Sequence, residues 1–149
     1  MPSRRRARQF ALQALYQSEL SGEPVRVALS ALWAGSMDGE GIEDSRPPEG
    51  NEVEFTERLV LGVDAHRAAI DAVIEECSTN WRMPRMPLVD RNILRITGFE
   101  LMHCADVPAT VSMNEAVELA KRYGTAESRA FVNGIVDRMA RNVQRVGLA

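Results

Sequence analysis

Apolar residues recur at spacings of three and four along almost the whole chain, and nowhere does the strict alternation of a half-buried strand appear. The first run is Ala7, Phe10, Ala11, Ala14, Leu15 and then Leu20, which predicts a helix ending near Ser21-Gly22 with Ser3 as a candidate N-cap. Pro24 opens a shorter helix whose apolar side is Val25, Ala28, Leu29 and Leu32-Trp33. Phe55, Leu59, Val63, His66, Ile70, Val73 and Cys77 follow, and they fit either one helix from Glu52 to Ser78 or two that part near Gly62. Trp81, Pro84 and Pro87 mark a rigid, extended joint. Val89, Ile93, Ile96 and Glu100 then share one side of a helix from Leu88 to about His103, widened by Leu94, Leu101 and Met102.

The stretch VSMNEAVELAKRYGTAESRAFVNGIVD, Val111 to Asp137, reads as two helices with a very short joint. Ser112 and Glu115 have the spacing of a capping box, Lys121 and Arg122 stand where the helix dipole favours cations, and Gly124 suits a left-handed closing position. Phe131, Val132, Ile135 and Met139 continue a stripe straight through Asn133-Gly134. The expectation is an all-α chain of about seven helices, with short joints after Leu88 favouring antiparallel neighbours. The break in this pattern is Ala34 to Gly50, rich in Gly, Ser, Pro and acid, which predicts an exposed loop or a disordered insertion. Its acids resemble a calcium loop, but Glu43 stands where an EF-hand requires glycine, so no calcium site is expected.

Charge changes the picture locally. The net charge of -3 hides five arginines against two acids in residues 1–33 and eight acids against one arginine in residues 34–57. Arg4, Arg5, Arg6 and Arg8 crowd the positive end of the first helix, where each cation costs a few tenths of a kcal/mol (roughly) at a surface. Stability does not ask for them: the run is either a frayed, solvated N-terminal tail or a phosphate-binding patch. Arg91 and Arg95 are expected to face outward as a like-charge pair, and Asp90 favours the positive end of its helix. Glu100 on an apolar stripe calls for a tie to an arginine or to backbone amides.

Two cysteines, Cys77 and Cys104, are too few for a disulfide framework or zinc cluster, and no secretory or membrane-length apolar run appears, so the cytoplasm is the expected compartment. No glycine loop for phosphates, nucleophile elbow or metal-spaced cluster is present, and His66 reads as a packing residue rather than a ligand. Neither catalysis nor a metal or organic cofactor is expected. An alternative is a helix-turn-helix DNA reader over LAKRYGTAESRAFVNGI, against which Asn133-Gly134 weakens the would-be recognition helix.

NEAVELAKRYG followed by FVNGIVD resembles the NusB family of bacterial transcription antitermination factors, as do RRRARQFALQALYQSEL, LVLGV at Leu59 to Val63 and VDRNILRITGFEL at Val89 to Leu101. The resemblance implies a single NusB-like domain over 1–149: two small helical bundles packed nearly at right angles, residues 1–80 with the acidic loop 34–50, and residues 81–149. It implies a non-catalytic adaptor that binds the boxA element of nascent ribosomal RNA leaders as single strand. The implied partners are NusE, a small-subunit ribosomal protein, and the antitermination complex on RNA polymerase. It further implies RNA-binding roles for Arg4, Arg5, Arg6, Arg8, Tyr16, Asp90 and Phe131, and partner-binding roles for Tyr16, Glu127 and Phe131.

Overall fold

The computed structural model describes residues 4–35, 46–79 and 81–145; Ser3 and most of the acidic stretch therefore lie outside the described residues. Seven α-helices and no strand occur among these residues, as the periodicity predicts. They are α1 (Arg4–Ser21), α2 (Val25–Trp33), α3 (Gly50–Ala65), α4 (Arg67–Cys77), α5 (Leu88–His103), α6 (Ala109–Tyr123) and α7 (Ser128–Arg145), with a 3-10 turn at Met83–Arg85. The chain divides between Ala65 and His66 into two compact units. The boundary falls before α4 rather than near residue 80, because α4 packs on α5 and α7. The helical stretch Glu52 to Ser78 is thus two helices, parted at His66 and not at Gly62.

In the first unit α1 packs on α2 and α3. Ala7, Ala11 and Ala14 are fully buried, and these short side chains let the backbones approach closely enough for the Thr56 hydroxyl to donate to the Ala7 carbonyl at 3.2 Å. Phe10 meets Trp33 edge-on, with centroids 5.6 Å apart, and the Trp33 indole donates to Glu57 at 2.9 Å. Leu20 departs from the predicted stripe: it is 63% exposed in the last turn of α1, past the last buried position.

In the second unit α5 lies against α4, α6 and α7 and is buried on every side from Asn92 to Glu100. Gly98 is required by that packing, since a Cβ there would stand 2.9 Å from a methyl of Ile70 and 3.2 Å from the methyl of Met139. Burial all round explains why Arg95 does not face outward beside Arg91. Its guanidinium is buried and grips Asp71 through two bonds of 2.9 and 3.1 Å.

The α6 start also differs from the capping-box expectation. The helix begins at Ala109 behind Pro108, which leaves Ser112 inside it. The Ser112 hydroxyl instead donates to the buried carboxylate of Glu100 at 2.7 Å, a tie of the kind that the apolar stripe called for. Gly124 ends α6 with φ −89° and ψ −171°, extended rather than left-handed. Space decides the residue there: a Cβ would fall 2.4 Å from Ser128 and 2.8 Å from the Ala120 carbonyl oxygen.

Candidate nucleic-acid interface

The arginines at the head of α1 separate by helical position. Ala7 faces the core, and Arg6 and Arg8 flank it about 100° to either side, close enough to the contact zone to be covered. Arg6 is 2% exposed and Arg8 3%, whereas Arg4 and Arg5 are exposed. Arg6 donates to the carboxylate of Glu52 at 2.7 Å and to the carbonyl oxygens of Arg46 and Pro47. Glu52 in turn accepts from Arg46 at 2.9 and 3.1 Å and from the Glu49 amide at 3.0 Å, so one buried carboxylate closes the start of α3 and holds the segment after the acidic stretch.

Phe55 gathers three cations. The guanidinium carbons of Arg4, Arg8 and Arg58 stand 4.3, 5.4 and 5.8 Å from its ring centroid. The ring's negative face offsets part of the repulsion among them. Arg58, exposed on α3, is a member that the sequence pattern did not single out. Nothing local marks it, because α1 and α3 meet through tertiary packing. The unit therefore carries a patch whose exposed cations are Arg4, Arg5 and Arg58, with Arg6 and Arg8 buried behind it. Tyr16, further along α1, is 36% exposed while its neighbours Leu12 and Leu15 are buried.

The other candidate residues lie in the second unit. Phe131 on α7 is half-buried, Glu127 ahead of it is exposed, and Asp90 on α5 is 3% exposed. Burial pushes the Asp90 carboxyl above its ordinary 3.8, and a hydrogen bond with the Ser128 side chain opposes that shift. The Ser128 hydroxyl oxygen also accepts from the Thr125 amide at 2.9 Å, capping α7. Asp90 thus supports the α6–α7 joint, with Glu127 in the turn before α7 and Phe131 in the first turn of α7. Trp81 meets Phe131 nearly at right angles, with centroids 6.4 Å apart. His66 is exposed rather than packed inward, and stacks on His103 at 4.1 Å; burial and then the charge of His66 lower the His103 pKa. Among the described residues no group of three or more His, Cys, Asp or Glu could hold a metal ion.

The NusB family model matches residues 5–141. The chain belongs to the NusB family. The transcription antitermination protein NusB of Myxococcus xanthus is 46% identical over 140 residues, covering 94% of this chain and 96% of that protein. The solved NusB of T. maritima superposes with a TM-score of 0.80 at 34% identity, covering 95% of this chain and 93% of that one. A chain in a crystal structure of the antitermination factors NusB and NusE with double-stranded RNA shares the fold, with a TM-score of 0.78 at 24% identity and coverage of 93% and 96%. α7, which a helix-turn-helix reader would lay in a groove of DNA, buries Val132, Ile135, Val136, Met139 and Val143 in this NusB unit. No described helix is long and apolar enough to cross a membrane.

Proposed function

We propose that this chain is a non-catalytic RNA-binding adaptor of transcription antitermination, acting in the cytoplasm on the boxA element of nascent ribosomal RNA leaders together with NusE on RNA polymerase. The observation that carries this reading is the set of guanidinium groups of Arg4, Arg8 and Arg58 drawn together around Phe55 at the positive end of α1, a local concentration of positive charge that suits an RNA phosphate backbone. In this reading Arg4, Arg5 and Arg58 contact phosphates. Arg8 sits on Phe55 and Arg6 on Glu52, holding the patch in place. Tyr16, Glu127 and Phe131 supply stacking and partner contacts, and Asp90 acts through the joint that it supports.

The test is a titration of the protein with boxA RNA, a scrambled RNA and duplex DNA, each with and without NusE. Preference for boxA that NusE sharpens is the expected result. Preference for duplex DNA would overturn the reading in favour of a DNA regulator.

A further inference from the structure

Trp81 is 47% exposed, an uncommon state for the side chain with the most apolar surface to hide. The backbone that carries it is also held in place. The Ser78 hydroxyl donates to the Trp81 carbonyl oxygen at 2.8 Å, the Met83 amide donates to Glu75 at 2.9 Å, and Pro84 stiffens the 3-10 turn that follows. Phe131 meets the indole with planes 80° apart, so it covers at most one face of it. Beside the ring lies a cavity of about 360 Å³ lined by Glu75, Ser78, Thr79, Trp81 and Arg82.

That setting separates two uses of an exposed tryptophan. An anchor for a protein partner sits among apolar neighbours that keep water out. The lining residues here are two that carry hydroxyls, one carboxylate and one guanidinium beside one aromatic ring, a set that suits a nucleobase: a flat face to stack, polar groups for its edge and a cation for its phosphate. We propose that Trp81 is a base-stacking platform for single-stranded RNA, a site of the second unit additional to the arginine patch. An unstacked base lies on the indole, the Ser78 and Thr79 hydroxyls and the Glu75 carboxylate meet its edge, and Arg82 meets the adjoining phosphate. A carboxylate accepts from the exocyclic amino group of cytosine or adenine, so the platform prefers these over uracil. The proposal rests on the RNA-binding reading above, and its test separates the two.

In the full chain carrying Trp33→Phe, Trp81 is the sole tryptophan. Its emission is followed while single-stranded boxA RNA is added, and binding is measured independently by the anisotropy of fluorescein-labelled boxA RNA. Quenching with the same midpoint as the anisotropy is expected. Trp81→Ala should weaken RNA binding about five- to a hundredfold and Trp81→Phe less, both with unchanged circular dichroism melts. Normal anisotropy without quenching, and with Trp81→Ala neutral, overturns the platform and leaves the adaptor reading intact. Quenching by NusE alone, with Trp81→Ala losing only NusE, assigns the ring to the protein partner and overturns the proposal. Absence of RNA binding by anisotropy, with and without NusE, overturns both.

Discussion

Arg6 and Arg5 are adjacent in sequence and opposite in expected effect. Removing the Arg6 side chain takes a guanidinium partner from Glu52, whose carboxylate is fully buried; the Arg46 bonds at 2.9 and 3.1 Å and the Glu49 amide at 3.0 Å remain. Breaking a buried ion pair costs about 3–5 kcal/mol when the surviving charge is left alone. With those contacts in place the Arg6→Ala loss should be about 2–3 kcal/mol. For a chain of this size that is roughly 5–10 °C in the melting midpoint. The assay follows Trp33, which reports on the first unit through its contacts with Phe10 and Glu57, in a Trp81→Phe background. Arg5→Ala, at an exposed position, should move the midpoint by under ~2 °C while weakening RNA binding. A double-mutant cycle with Glu52→Ala should show strong coupling for Arg6 and none for Arg5. If Arg6→Ala melts like the parent and loses RNA as Arg5→Ala does, Arg6 is a phosphate contact and the division between patch and support is wrong.

Two further changes test the supporting contacts. Asp90 has a raised pKa, so between its ordinary 3.8 and that raised value the native state keeps a proton that the unfolded chain has released. Its contribution to stability therefore falls as pH rises through that window, and the difference in stability between the parent and Asp90→Asn should show this slope; a difference independent of pH would refute it. Ser112→Ala should cost about 1–3 kcal/mol by removing the hydroxyl that satisfies buried Glu100, and adding Glu100→Gln should recover part of that loss. Chemical denaturation of the two variants decides it.

What the sequence made legible was whatever depends on neighbours three and four residues away. The stripes Ala7-Phe10-Ala11 and Val132-Ile135-Met139 are buried as their period implies. The acidic stretch and the arginine run stood out by composition. Several of the misreadings share one cause, a partner distant in the chain. Ser112 has the spacing of a cap, but its hydroxyl is taken by Glu100 on another helix, and Pro108 sets the helix start. Arg95 lies off the apolar stripe, yet three helices enclose α5 and Asp71 waits on α4. The four arginines look equivalent until Phe55 and Glu52 of α3 arrive, burying two of them and adding Arg58. His66 and His103 are far apart in sequence and stack in the fold.

The salt dependence of RNA affinity tests the central claim most directly. Each phosphate contacted on a single strand contributes about 0.7 to the log-log slope, so three exposed arginines contribute about 2. Replacing Arg4, Arg5 and Arg58 together with alanine should make the slope shallower by that amount while the fold stays intact. A slope that the triple variant leaves unchanged would mean that the cations around Phe55 hold no RNA.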